Sequence, residues 1–93
     1  MAAWVYILRL RSGRLYVGST TDVAARCRFH ANGKAYLTTK ADPPVTLAYQ
    51  EELPTYSAAL LREAQVKRWT RAKKEALISG DAGRLHSLAR RRT

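Results

Sequence analysis

Two short apolar segments on either side of a turn constrain the fold of this chain most. They span residues 4–9 and 15–19, and the Arg11-Ser12-Gly13-Arg14 segment between them has the composition of a turn. This arrangement predicts an antiparallel hairpin. In both segments the even and the odd positions are largely apolar or aromatic. We therefore expect the hairpin to be covered on both faces, as a central element of a sheet would be.

The expected register of this hairpin brings two tyrosines together. If the turn centres on Ser12, Tyr6 lies opposite Gly18 and Leu8 lies opposite Tyr16. Tyr6 and Tyr16 then share one face as diagonal neighbours, roughly 7–8 Å apart. Because Gly18 has no side chain, it leaves an open spot across from Tyr6. Two phenols, a gap and a helix start nearby predict a small polar pocket that stability does not require.

The following segment predicts a helix and then a loop. The helix is expected over residues 21–31, with an N-cap at Thr20, Thr21 or Asp22 and with Gly33 after its end. Residues 33–44 are expected to form a loop, because two consecutive prolines at its end disfavour regular structure.

A third strand and two more helices are expected after this loop. Their bounds are residues 45–51 for the strand, 55 or 57 to about 69 for one helix, and 70–79 for the other. Pro54 ends the strand, Thr70 caps the last helix and Gly80 ends it. In the first of these helices Ala58, Leu61 and Ala64 can face inward. Trp69 is interpreted as a core or helix-junction residue.

These elements predict an α/β (α+β) fold, with a small three-stranded antiparallel sheet flanked by helices. Residues 1–80 are expected to form the domain proper, and residues 81–93 to form a basic C-terminal extension of the same domain. A chain of 93 residues is long enough for one hydrophobic core and too short for two.

The charge of the chain points to a polyanionic partner. Seventeen Lys and Arg against seven Asp and Glu give a net charge of +10, and residues 62–93 carry ten of the basic residues and only three of the acidic ones. Such an excess attracts nucleic acid. A membrane partner is not expected, because no apolar run approaches the roughly 20 residues of a membrane span. A single cysteine and the lack of a signal-peptide pattern predict a cytoplasmic protein.

Several short segments carry a family resemblance through their order and spacing. In chain order they are Trp4-Val5-Tyr6, Tyr16-Val17-Gly18, Thr20-Thr21-Asp22-Val23 with Arg26 and His30, and Leu60-Leu61-Arg62-Glu63. The first two stand where the GIY-YIG nucleases have their GIY and YIG motifs, and the others resemble the two helices that follow in that family. The chain thus resembles a small, stand-alone, single-domain member over most of residues 4–78. The main departure is Trp4 in place of the first glycine.

The resemblance implies a metal-dependent endonuclease that hydrolyses DNA, with Mg²⁺ or Mn²⁺ as its cofactor. The implied catalytic residues are Tyr6, Tyr16, Arg26, His30 and Glu63. Glu63 would hold the metal ion. One tyrosine would take a proton from the attacking water while the other orients water or phosphate, and we assign these roles to Tyr6 and Tyr16 respectively. Candidates for substrate contact are Gly18, Lys34, Tyr36, Lys40 and Lys67.

Residue chemistry alone leaves alternatives for the helix residues. Arg26 suits a phosphate because of its rigid donor fork, but it could instead form a surface salt bridge with Asp22. Glu63 could instead form an i,i+4 ion pair with Lys67, worth about 0.2–0.5 kcal/mol. His30 could relay a proton, bind a phosphate oxygen or be merely structural.

Two functions of different classes therefore stand side by side. The first is the endonuclease, acting on single-stranded or branched DNA because a stand-alone domain has no appended module for reading sequence. The second is a non-catalytic nucleic-acid-binding module on the same scaffold, and an RNA-directed role is a third. No pattern in the chain specifies an oligomeric state.

Overall fold

A three-stranded antiparallel sheet organises the chain in the computed structural model, which describes residues 2–31 and 42–80. In chain order the elements are β1 (Ala3–Leu10), β2 (Leu15–Thr20), α1 (Val23–Ala31), β3 (Pro44–Leu53), α2 (Tyr56–Lys67) and α3 (Arg71–Ser79). The strand order is β2-β1-β3, so β1 is central and the other two strands form the edges. The predicted α+β fold is confirmed.

The hairpin of β1 and β2 has the predicted register. Tyr6 pairs with Gly18, and Leu8 pairs with Tyr16. Gly13 takes a φ of 93° in the turn, a conformation that a residue with a Cβ adopts only with strain. Its N–H donates to the carbonyl of Leu10 at 2.8 Å and closes the turn.

The two faces of the sheet carry separate core clusters. One face holds a buried cluster of Ala3, Val5, Ile7, Val17, Ala59 and Val66. The other holds Tyr6, Leu8 and Leu10, with Tyr16 and Cys27 packed against them. Helices α2 and α3 thus cover one face, and α1 covers the other through Cys27. This confirms the expectation of a hairpin buried on both faces.

Strand β3 is longer than predicted and includes a proline that was expected to lie in the loop. It begins at Pro44, which lies opposite Leu10, and ends at Leu53. A proline is tolerated as the first residue of an edge strand, because no ladder hydrogen bond requires its missing N–H. The register against β1 shifts twice, between Ile7 and Leu8 and between Arg9 and Leu10, as the strand leaves regular pairing.

The ends of the helices follow side-chain caps. Asp22 caps α1, since its Oδ1 accepts the N–H of Ala25 at 3.0 Å. Thr55 and Thr70 cap α2 and α3 in the same way. Gly80, with a φ of 74°, ends α3 as predicted. The expected stop at Gly33 and the extension over residues 81–93 lie outside the described residues.

The inward face of α2 differs from the prediction. Ala59 and Val66 are fully buried, whereas Leu61 is 75% exposed and Ala64 is exposed. The expected inward orientation is therefore wrong for Leu61 and Ala64, whereas Ala58 is half-buried. Ala59 and Val66 are separated by two helical turns, and Glu63 lies between them on the same side. The helix is thus rotated so that a carboxylate, rather than a leucine, points toward the sheet.

Trp69 lies between α2 and α3, as predicted, because α2 ends at Lys67 rather than near residue 69. Its ring packs against the core face that α2 and α3 cover. The Arg62 guanidinium lies 5.1 Å and the Lys73 ammonium 4.2 Å from the ring centroid. Lys73 is only 8% exposed, so its charge is stabilised by the aromatic face at the helix junction. Within the described part of the chain, no helix has the length and apolar character to cross a membrane.

We predict that the orientation of α2 makes the free energy of unfolding sensitive to Val66 and insensitive to Leu61. Val66→Ala leaves a cavity in the core and lowers the free energy of unfolding by about 2 kcal/mol. Leu61→Ala removes a larger but exposed side chain and changes it by less than about 0.5 kcal/mol. Urea denaturation of both variants measures the difference, and equal losses would contradict this packing.

Candidate active site

A cleft of about 460 Å³ opens at the β2 edge of the sheet. It is lined by Tyr6, Tyr16, Gly18, Ser19, Arg26, Tyr56, Leu60, Glu63 and Lys67. Helix α1 covers one face of the sheet and α2 covers the other. Side chains on opposite faces can meet only past an edge of the sheet, and in this cleft residues of both helices converge around β2.

Gly18 allows the Tyr6 side chain to reach this edge from the central strand. A Cβ built on Gly18 would lie 2.5 Å from Cζ of Tyr6, which is closer than non-bonded atoms can approach. The Tyr6 ring thus lies directly over the backbone of Gly18. The expected open spot at Gly18 is wrong, because the phenol of Tyr6 fills it. Gly18 lines the cleft chiefly as the surface over which Tyr6 passes.

The environment of Tyr6 favours its neutral form. The residue is only 2% exposed, and burial raises the pKa of its phenol well above the ordinary value of 10.0. The neighbouring Tyr16 raises this pKa further and Glu63 adds a smaller increase, whereas the charge of Arg26 lowers it. Near neutral pH the Tyr6 hydroxyl therefore carries its proton and can donate a hydrogen bond into the cleft. Acting as a base would require more positive charge beside it.

Glu63 is held in place by two partners from different elements. The Ser19 hydroxyl donates a short hydrogen bond to Oε1, and the Lys67 ammonium lies 2.6 Å from Oε2. The Glu63 side chain is 17% exposed, so the carboxylate is largely shielded while still lining the cleft. The ion pair with Lys67 that residue chemistry offered as an alternative does form. It forms at the wall of the cleft, so it does not remove Glu63 from the candidate site.

Arg26 enters the cleft from α1. Its position follows from the helix start at Asp22, which places Arg26 one turn into the helix. The guanidinium lies on the side of α1 that faces the β2 edge, and its charge acts on the Tyr6 phenol. A cation that acts on Tyr6 therefore lines the same cleft as Tyr16 and the Glu63 carboxylate.

The structure brings six of the predicted site residues to one cleft: Tyr6, Tyr16, Gly18, Arg26, Glu63 and Lys67. Their chemical roles stay predictions. His30 lies in the last turn of α1, but its side chain is outside what the structure describes, and Lys34, Tyr36 and Lys40 lie outside the described residues.

Sequence analysis missed three residues that line the cleft. Tyr56 and Leu60 lie on the first two turns of α2 and are 44% and 45% exposed at its mouth. Ser19 lies between two buried residues of β2, and its pleat position directs it toward α2. The alternation of β2 could have placed Ser19 on that face, but only the rotation of α2 pairs it with Glu63.

The donor set fits a metal ion bound through one carboxylate. Among the described residues, no three Asp, Glu, His or Cys side chains cluster closely enough to hold an ion together. Mg²⁺ commonly keeps several water ligands and uses one or two carboxylates together with a substrate phosphate. Glu63, with the volume of the cleft before it, matches this mode of binding better than a cage made entirely of protein ligands.

Known proteins similar to this chain span nearly all of it. A family model described as the GIY-YIG catalytic domain matches residues 2–76. A UPF0213 protein of Streptococcus sanguinis is 49% identical over 76 residues, which cover 82% of this chain and 87% of that protein. A UPF0213 protein of Staphylococcus epidermidis is 45% identical over 75 residues, covering 81% of this chain and 92% of that protein.

A solved structure agrees with these matches. The solution NMR structure of a UPF0213 protein from Bacillus halodurans aligns with a TM-score of 0.56 at 38% identity, over 89% of this chain and 88% of that one. The residues matched by the family model include every element that lines the cleft.

We predict a strong energetic coupling between Gly18 and Tyr6. Gly18→Ala forces the Tyr6 ring out of its place and lowers the free energy of unfolding by about 1–3 kcal/mol. In a Tyr6→Leu background the obstructed ring is gone, so the same substitution costs much less. Urea denaturation of the four proteins of this cycle measures the coupling.

Gly13→Ala is the matched control for this cycle. It introduces strain at a φ of 93° in the turn, away from Tyr6, and its cost should be the same in both backgrounds. If Gly18→Ala also costs the same in both, the Tyr6 ring does not lie over Gly18.

Proposed function

Because the chain belongs to the GIY-YIG family, we propose that it is a metal-dependent endonuclease that hydrolyses phosphodiester bonds of DNA. The observation that carries this proposal is the convergence of Glu63 from α2 with Tyr6, Tyr16 and Arg26 in one cleft. A module that only binds nucleic acid has no use for a carboxylate there, because it repels phosphate.

Arg26 is the proposed phosphate ligand. Its guanidinium presents several N–H donors in a fixed plane, which matches two oxygens of a phosphate. The same charge offsets the negative charge that builds on the phosphate as water attacks. Since Arg26 lines the same cleft as both tyrosines, a phosphate bound to it would lie in the space that their hydroxyls share.

Glu63 would hold a Mg²⁺ or Mn²⁺ ion, which supplies charge neutralisation at the phosphate when bound. Ser19 and Lys67 orient the carboxylate, and Lys67 is also placed to offset charge on the leaving oxygen. This arrangement explains why a carboxylate on α2 points toward the sheet rather than toward solvent.

Tyr6 is the proposed base and Tyr16 the proposed orienting group. In its phenolate form, Tyr6 would take a proton from the water whose oxygen forms the new bond to phosphorus. The bond from phosphorus to the leaving sugar oxygen breaks in the same displacement, and that oxygen takes a proton from solvent. Burial opposes this form and the Arg26 charge favours it. Tyr6 is therefore active only when the positive charges of the site are in place. Tyr16 donates a hydrogen bond to the water or to a phosphate oxygen.

The substrate class proposed is branched or single-stranded DNA. The cleft lies at the edge of the sheet and is open at its mouth, where Tyr56 and Leu60 are partly exposed. Unstacked nucleotides can pack on such apolar and aromatic side chains. We also propose a cytoplasmic location, for which the single cysteine and the lack of a signal-peptide pattern are the support.

The first test is a cleavage assay on single-stranded, duplex and flapped DNA, with an RNA strand of the same sequence. Each is incubated with Mg²⁺, with Mn²⁺ and with chelator. Glu63→Gln and Arg26→Ala should each lower the rate by about 10²-fold or more, because each removes charge stabilisation from the reacting phosphate.

Two exposed residues provide matched controls. Glu52→Gln on β3 and Arg28→Ala on α1 make the same changes of charge away from the cleft, and both should leave the rate unchanged. DNA bound without cleavage under every metal condition, with affinity unaffected by Glu63→Gln, would favour the binding module instead. Cleavage of the RNA strand alone would replace DNA as the substrate.

A second prediction concerns Ser19, which acts through Glu63. Ser19→Ala removes the hydroxyl that orients the Glu63 carboxylate, so the Mg²⁺ concentration for half-maximal cleavage should rise about 10-fold to 100-fold. The rate at saturating Mg²⁺ should largely recover. Ser57→Ala, at an exposed position in the first turn of α2, is the control. An unchanged Mg²⁺ midpoint in Ser19→Ala would contradict the positioning role.

A further inference from the structure

A second basic surface lies outside the cleft, between the hairpin turn and α3. It surrounds a cavity of about 180 Å³ lined by Arg14, Leu15, Arg71 and Lys74. We propose that this distal basic patch, defined by Arg14, Arg71 and Lys74, binds the backbone phosphates of the same DNA a few nucleotides from the scissile bond. This inference rests on the proposed function, but the DNA binding that it predicts can be measured without cleavage.

The fold brings the patch together from two distant segments. Arg14 follows the turn and immediately precedes β2, while Arg71 and Lys74 lie one turn apart on α3. A guanidinium nitrogen of Arg71 lies 4.0 Å from the position that a Cβ would occupy on Gly13. Arg71 therefore reaches across to the turn, and the three cations face one cavity.

The charge of this region is not neutralised by its own carboxylate. Glu75 receives two hydrogen bonds from Arg9, at 2.8 and 3.0 Å, and one from Arg71 at 3.2 Å. Within residues 2–31 and 42–80, no carboxylate forms an ion pair with Arg14 or Lys74. With Arg11 and the nearby Asp42 included, five cations and two carboxylates leave an excess of three positive charges at this end of the sheet.

Another described acid close to Arg14 is Asp42, which is hydrogen-bonded to the hairpin turn. Asp42 accepts hydrogen bonds from the backbone N–H of Ser12 at 3.0 Å and from its hydroxyl at 2.5 Å. This interaction, reinforced by the charges of Arg14 and Arg11, holds the pKa of Asp42 below its usual value. Asp42 thus stays ionised and bound to the turn, where its charge offsets part of that of Arg11 and Arg14, while the Arg14 side chain also lines the cavity.

The patch and the cleft lie along the same strand. On the face of β2 that α2 covers, Leu15 lines the patch and Ser19 lines the cleft beside Glu63, whereas Tyr16 lines the cleft from the opposite face. At about 3.3 Å per residue, the four residues from Leu15 to Ser19 separate the patch from the Glu63 end of the cleft by roughly 13 Å. On the helical side, Lys67 lines the cleft and Arg71 lines the patch. Residues of β2 and of the α2–α3 segment therefore line both sites.

This separation matches the spacing of nucleic acid. A DNA strand advances about 3.4 Å along the axis per nucleotide, and its winding backbone spaces the phosphates more widely than that, so the patch would meet phosphates at most about four nucleotides from the Glu63 end of the cleft. Contacts of this kind fix the position of the strand and carry no sequence information. The patch would thus set on which side of the scissile bond the enzyme needs extra nucleotides.

The binding test uses a fluorescent duplex in chelator, where no cleavage interferes. The double variant Arg14→Gln/Lys74→Gln loses two phosphate contacts, each worth about 0.9 in the slope of log affinity against log salt. Between 50 and 200 mM salt, the wild-type protein should therefore lose about tenfold more affinity than this variant. The matched control is Arg28→Gln/Arg68→Gln, which removes the same charge from exposed positions outside the patch and the cleft.

The cleavage test uses substrates shortened on one side of the scissile bond or on the other. The patch variant should raise KM on full-length DNA with little change in kcat, and it should lose the preference for the longer substrate on one side only. An equal fall in affinity and salt slope in the control would show a general effect of net charge and overturn the proposal. A wild-type protein that binds with this salt dependence but does not cut would keep the patch and overturn the nuclease.

Discussion

The contact between the Tyr6 ring and the backbone of Gly18 is the constraint on which the rest of the site depends. It joins the central strand to the edge strand at a point where any larger residue would collide with the ring. Burial supports this contact, since Tyr6 is also part of the core on that face. The same residue therefore packs the sheet and presents a hydroxyl at the cleft, so its position is fixed by the stability of the fold.

The carboxylate of Glu63 is likewise positioned by the packing of the fold, through the contact of α2 with the sheet. Helix α2 buries only Ala59 and Val66, and this narrow contact leaves Glu63 facing β2 between them. A partly shielded carboxylate needs partners, and Ser19 and Lys67 provide them. These contacts fix the orientation of the carboxylate that the proposed function assigns to the metal ion. The exposed Leu60 and Leu61 are a consequence of the same rotation.

The cleft and the distal basic patch both lie along the edge strand β2, which contributes residues to each of them. Exposed edges invite pairing with other chains, and β2 is flanked by Arg14 at one end and bordered by charged side chains at the cleft. The charges that protect this edge also make it attractive to a polyanion. Under the proposed function, the charged residues that disfavour pairing at this edge are also those that contact nucleic acid.

Local patterns in the chain were sufficient to predict the hairpin, its register, the burial of both of its faces and most helix ends, because alternation, turn residues and caps act over a few neighbouring residues. The family motifs likewise identified Tyr6, Tyr16, Gly18, Arg26, Glu63 and Lys67, which the fold brings to one cleft. Three features could be seen only in the folded molecule: Leu61 faces outward, Ser19 donates a hydrogen bond to Glu63, and Arg14 lines the same cavity as Arg71. These depend on how a weakly amphipathic helix rotates against the sheet, and that rotation follows from packing between distant segments rather than from any local pattern.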